Sequence, residues 1–100
     1  MHAADPLDIT STAEGLVLVG EIDAHTAPAL AEAIGESAHR HLVLDMAGVE
    51  FLDSSGLRVL IEAHQTARAE DRILQLANPS PAVSRLLKIS GIDDYLNVID

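Results

Sequence analysis

Two adjacent hydroxyls set between a carboxylate and a glycine, Asp53-Ser54-Ser55-Gly56, are the residues of this chain best suited to chemistry. The apolar run Leu42-Val43-Leu44 precedes them, and Leu57, Leu60, Ile61, His64 and Ala67 follow at helical spacing. The four residues therefore occupy a strand-to-helix turn. Ser54, or else Asp53, can cap the helix by accepting a bond from a free amide, with Ser54 favoured. Ser55 and Gly56 then fall in the first turn, where amides lack carbonyl partners and the helix dipole is positive. That setting suits an anion, including a phosphate carried on a serine. Gly56 has no side chain, so another protein could approach the backbone there. An ordinary helix start has the same composition, and local chemistry alone leaves both readings open.

Covalent catalysis needs more than a serine at a turn. A nucleophile elbow has glycine two residues before and two after the nucleophile. Around Ser54 those positions hold Leu52 and Gly56; around Ser55 they hold Asp53 and Leu57. A hydroxyl nucleophile also needs a positioned base. His64 lies nine residues beyond Ser55, roughly 13 Å along a helix axis, and is out of reach. His25 could come near only if two loops adjoin. The chain is thus expected to be no enzyme.

Metal and cofactor chemistry fare no better. Cysteine is absent, which excludes disulfides, thiolate zinc sites and thiol nucleophiles. His39-x-His41 is the only local histidine pair, and it straddles a helix end and a strand start. Glu21, Asp23 and Asp53 match no known cation-loop spacing. No glycine-rich phosphate cradle is present. Neither a metal nor a cofactor is expected.

The elements that must position the serine turn can be read in order. Residues 1–5 read as a loose tail. Leu7 to Thr10 and Leu16 to Val19 are strands joined by a turn into a hairpin. Gly20 to His25 is a polar loop carrying Glu21 and Asp23. Thr26 is the expected N-cap of a helix reaching about Ala38, with Leu30, Ala31, Ile34 and Ala38 on its core face. Leu42 to Leu44 reads as a strand covered on both faces. The helix after the serine turn ends near Asp71, and Ile73 to Ala77 is the next strand. Ser80-Pro81 is a strong helix start. Val83, Leu86, Leu87 and Ser90 face the core, and Gly91 stops that helix. Tyr95 to Ile99 closes with a short strand. The order β-β-α-β-α-β-α-β implies one α/β domain over residues 1–100, with a mixed β-sheet, an N-terminal hairpin and parallel right-handed crossovers.

Charge narrows the partners. The formal net charge is −10, and the six basic residues are scattered. Nucleic acid and anionic membrane surfaces are therefore poor partners, whereas a basic protein face would be steered toward this one. No apolar run is long enough to span a bilayer, and the first residues lack a signal peptide's basic and apolar stretches. A cytoplasmic protein is expected.

Three blocks carry a resemblance. Leu42-Val43-Leu44-Asp45 followed by Val49-Glu50-Phe51-Leu52-Asp53-Ser54-Ser55-Gly56-Leu57 resembles the signature of the STAS family, and within it of the bacterial anti-sigma factor antagonists. Gly20 to Leu30 resembles that family's first loop and helix, and Leu86 to Asp93 its last helix and exit. The resemblance implies a protein that, unphosphorylated, binds an anti-sigma factor acting also as a serine kinase, and so releases a sigma factor. It implies Ser55 as the phosphoacceptor and Ser54 as its neighbour in the motif. Asp23 corresponds to an acidic residue beside the phosphoacceptor. A phosphatase acting on phosphorylated Ser55 would reset the switch. The partner-binding set is then Asp23, Asp53, Ser54, Ser55, Gly56 and Arg58. Arg58 stands where many relatives have glycine, within reach of a phosphate at Ser55 or of Asp53. Many relatives also carry one more helix beyond the position of Asp100. An alternative within the family is an unphosphorylated scaffold subunit of a larger sensory or partner-switching complex, in which Ser55 is a silent N-cap.

Overall fold

The computed structural model describes residues 6–99; the tail expected over residues 1–5 lies outside them. Five strands and three helices follow in the expected order: β1 (Leu7–Ser11), β2 (Gly15–Ile22), α1 (Ala27–Glu36), β3 (His41–Leu52), α2 (Ser54–Ala69), β4 (Ile73–Ala77), α3 (Pro81–Ile89) and β5 (Asn97–Ile99). The strands lie side by side in chain order in one sheet. β1 and β2 form an antiparallel hairpin, and β3, β4 and β5 add in parallel. Each crossover steps the same way, so right-handed connections bring all three helices to one face.

Burial shows the consequence. Leu42, Leu44 and Met46 are buried while Val43 and Asp45 between them are only half-buried. The expectation that this strand is covered on both faces is therefore corrected: alternation marks one core face and one helix-free face. The core joins Leu16, Leu18, Leu44, Leu76, Leu30, Leu60 and Leu87 from sheet and helices. Seven leucines here do what aromatic residues do in many domains, at about 1.5–3 kcal/mol for each fully buried side chain.

Helix α1 ends at Glu36, not Ala38, and its core side carries Ala27, Leu30 and Ile34. Ala31 and Ala38 are exposed, because the contact stripe drifts toward the first turn, where Thr26 is also buried. Helix α3 follows its signals closely. The Ser80 hydroxyl accepts the Val83 amide, and Pro81 opens the helix. At its end Gly91 takes φ +72°. The Ile92 amide donates to the Leu87 carbonyl and the Gly91 amide to that of Lys88, the pairing by which a left-handed glycine closes a helix. Ser90 is exposed and not on the core face.

Strand β3 differs most from expectation. It spans 12 residues and runs past Leu44 up to the serine turn. It outruns its neighbour through two bulges: Val17 pairs with Asp45 but Val19 with Gly48, and Gly20 pairs with Val49 but Glu21 with Phe51. Each shift inserts one unpaired residue on the β3 side. β2 likewise continues to Ile22, so Gly20 to Ile22 is strand where a loop is expected. The one polar residue there, Glu21, sits on the helix-free face, which hides a strand behind loop-like composition.

Candidate functional site

The turn between β3 and α2 is built by Asp53. Its backbone is extended, and its carboxylate Oδ1 accepts the amides of Ser55 at 2.9 Å and Gly56 at 3.2 Å. This corrects the assignment of Ser54 as favoured cap. A carboxylate satisfies two orphan amides at once and its charge opposes the positive helix end, which a hydroxyl cannot match. Ser54 becomes the first helical residue and is exposed, while Ser55 behind it is half-buried. Neither hydroxyl takes part in the cap.

Gly56 is buried. A methyl group built on it would run into the side chains of Ile22 and Leu52. The missing side chain thus admits the end of the chain's own β2–β3 pair beneath α2, where an approach by a second protein is expected from sequence. Gly56 sets the height of the turn and offers no surface to a partner.

The loop after β2 adjoins this turn. The Asp53 amide donates to the Ile22 carbonyl at 3.1 Å, one residue before Asp23. Asp23 folds its own loop: Oδ1 accepts the amides of His25 at 2.9 Å and Thr26 at 3.0 Å. The Thr26 amide above all holds the Asp23 carboxyl below its ordinary range; partial desolvation opposes this, and the His25 amide adds to it. Thr26 stands at the start of α1 but caps it without its side chain. Its hydroxyl donates to the Glu21 carbonyl at 2.8 Å and accepts the Asp23 amide at 2.9 Å. The Asp23 carboxylate therefore ties down the loop before α1, and the first helical amide, that of Ala27, donates to the Asp23 backbone carbonyl at 2.8 Å.

Arg58 does not reach back to Asp53. Its Nε lies 3.4 Å from Glu62 Oε2, one turn onward, and both side chains are largely exposed. The Asp53 oxygen nearest the helix is already taken by amides, which leaves Glu62 as the cheaper partner. The structure thus brings Asp23, Asp53, Ser54 and Ser55 to one end of the sheet, leaves Arg58 paired on the outer face of α2, and buries Gly56 beneath.

Other candidate groups are elsewhere. Both ring nitrogens of His39 are engaged, Nδ1 with Ser37 Oγ at 3.0 Å and Nε2 with the Ala13 carbonyl at 2.9 Å. A carbonyl only accepts, so Nε2 carries the proton. His41 Nε2 instead meets Gln75 Oε1 at 2.7 Å. The two histidines do not converge, and among the described residues no group of three or more His, Asp or Glu side chains could hold a metal. No helix among the described residues is long and apolar enough to cross a membrane.

His64, on the core face of α2 as its spacing predicts, is buried. Its ring meets that of Tyr95 edge-on at 4.9 Å, and Nδ1 has no partner. Burial first, and the Arg68 cation second, lower its pKa. It packs as a core histidine of α2 against Tyr95. Phe51, which the sequence reading left without a role, is about half exposed at 47%. The two bulges of β3 are the signal that could have found it, and pairing register is not visible in one strand's sequence.

Fold and site together define a one-domain α/β module that presents two serines at a carboxylate-capped helix start, beside a second acidic loop. The chain belongs to the STAS-domain family, whose model matches residues 9–100. It is 33% identical over 86 residues to the anti-sigma-B factor antagonist of Listeria monocytogenes, covering 83% of this chain and 75% of that one. Among solved structures, an anti-sigma factor antagonist from Mycobacterium paratuberculosis superposes with a TM-score of 0.74 at 30% identity, covering 92% of this chain and 82% of the other. The Bacillus cell fate determinant SpoIIAA in its phosphorylated form matches with a TM-score of 0.65 at 23% identity, over 94% of this chain and 91% of that one. At that identity it speaks for the fold alone.

Proposed function

We propose that this chain is an anti-sigma factor antagonist of the cytoplasm, which binds an anti-sigma factor when unmodified and loses it when Ser55 is phosphorylated. The observation that carries the reading is the joining of the Ser54-Ser55 turn to the Asp23 loop through the Asp53–Ile22 hydrogen bond. It makes one acidic surface with two hydroxyls that take no part in the helix cap. The names of the Listeria and Mycobacterium relatives, both anti-sigma factor antagonists, support the same reading.

The anti-sigma factor is read as the kinase. It transfers the γ-phosphoryl group of ATP to the Ser55 oxygen, breaking the bond to ADP as the hydroxyl proton leaves. The phosphate brings roughly −1.5 to −2 charge. Asp23 and Asp53 are already there, and the nearby cation, Arg58, is paired with Glu62. The new charge therefore adds to a surface that is already acidic. It acts where the partner docks, by repulsion and by the cost of desolvation, and no change of fold is needed. A few kcal/mol suffices, since about 1.4 kcal/mol is tenfold in affinity. A phosphatase would restore the unmodified form.

The test is phosphopeptide mapping after incubation with the cognate anti-sigma factor and Mg-ATP, together with titration calorimetry of the unmodified and modified chains. Phosphate on Ser55 and a loss of affinity are expected. Phosphate on Ser54, which is the more exposed of the two, would reassign the site. Absence of any modification, with binding retained, would favour the scaffold reading.

A further inference from the structure

The second bulge of β3 has turned the chain's single phenylalanine out of the core. Val49 is fully buried, and strict alternation would send Phe51, two residues on, to the same side. The extra residue between Gly20–Val49 and Glu21–Phe51 breaks that alternation. Glu50 and Phe51 are both exposed, and Leu52 returns to the core beside Ile22. Phe51 is thus left on the helix-free face, at the rim that also carries Asp23 and the serine turn. Val19 lies on the same face two residues before Glu21 and is also 47% exposed. The first bulge sets it against Gly48, where a Cβ would press on the Val19 side chain. Two exposed apolar residues therefore share this face beside the site, Val19 by the plain alternation of β2 and Phe51 by the bulge in β3.

Carboxylates surround them. Glu21 is the register partner of Phe51, Glu50 precedes it, and Asp23 follows the end of β2. We infer that Phe51, with Val19 beside it, anchors the anti-sigma factor by inserting into an apolar pocket that a rim of lysine or arginine encloses. The acidic ring decides the occupant. A second copy of this chain would bring like charges together around the same patch, whereas a basic rim is complementary and excludes water from the anchor. The inference rests on the reading given under Proposed function and extends it: the contact runs from the serine turn down onto the helix-free face of the sheet.

The experiment titrates the purified cognate anti-sigma factor with wild-type chain, F51A, F51L and E21K, using Ser55→Ala as common background to keep phosphorylation out. F51A is expected to weaken binding at least tenfold, F51L less, and E21K to slow association and flatten its salt dependence. Urea unfolding of F51A should match wild type, because the ring is half in solvent already. Binding by F51A equal to wild type overturns the anchor alone. Failure of the wild-type chain to bind any anti-sigma factor overturns the function on which the anchor rests. A wild-type dimer in sedimentation that F51A abolishes would give the patch to a second copy and overturn the inference as well.

Discussion

The Asp53 amide and the Ile22 carbonyl meet at 3.1 Å across the ends of β3 and β2, and this bond makes one site of two loops. On one side stands Asp23, holding its own loop through the amides of His25 and Thr26. On the other stands Asp53, holding the first turn of α2 through those of Ser55 and Gly56. Asp53 caps a helix and Asp23 ties down a loop, and the parallel pairing of the two strands brings the two acids to one end of the sheet.

The cap assignment has a direct test. Asp53→Ala should cost about 1 kcal/mol, as the loss of a carboxylate cap does. Ser54→Ala should stay within about 0.5 kcal/mol, because the exposed first helical residue makes no bond that the change removes. Urea denaturation of both variants decides between them, and a larger loss at Ser54 would restore the serine as cap.

Ser55 carries the switch. Ser55→Ala should fold, keep its partner and resist modification. Ser55→Asp should also fold, since an acid in the first turn suits the helix dipole, yet bind the anti-sigma factor weakly. Titration calorimetry reads both, and equal affinities would count against a charge-controlled contact.

Gly56→Ala is expected to destabilise. At an exposed helical position the change would gain about 1 kcal/mol. Here the added methyl group meets Ile22 and Leu52, both buried, and overpacking of that kind costs about 1–3 kcal/mol. A neutral or stabilising result in thermal unfolding would mean that α2 can lift off the β2–β3 pair.

Stability should fall as the solution becomes acid, with His64 as one source. An unfolded histidine titrates near 6.5, and burial lowers the folded value. Between the two, the unfolded chain binds the proton that the folded chain refuses, so stability is complete above about 6.5 and declines below it. The decline can reach about 1.4 kcal/mol per pH unit. Asp23, held below the ordinary 3.8, contributes only in more acid solution: its stabilisation is present above that value and lost as pH falls through the folded one. Urea midpoints between about pH 5 and pH 7.5 should therefore slope in the wild type. They should flatten in His64→Leu.

Strand β3 lies between β2 and β4, and its central amides close the sheet from both sides. Leu42 to Leu44 should exchange slowest under native conditions. Faster exchange there than in β1, an edge strand, would show that the sheet opens from its middle.

The sequence alone determined the element order, the hairpin, the start and stop of α3 and the two stretches that meet at the site. Those features are written in neighbouring residues: Ser80-Pro81 caps locally, Gly91 reverses locally, and alternation or helical spacing needs one element to be visible. The tertiary structure decided what depends on residues far apart in the chain. Whether Gly56 is open to a partner or pressed against Ile22 depends on how far β2 runs beneath α2. Whether Asp53 or Ser54 caps depends on the extended backbone with which β3 enters the turn. Phe51 carries no mark in the sequence of the side it takes, and only the pairing of Glu21 with it, one register step late, turns its ring to solvent. Register is a relation between strands, fixed by their packing together, and no single stretch of sequence contains it.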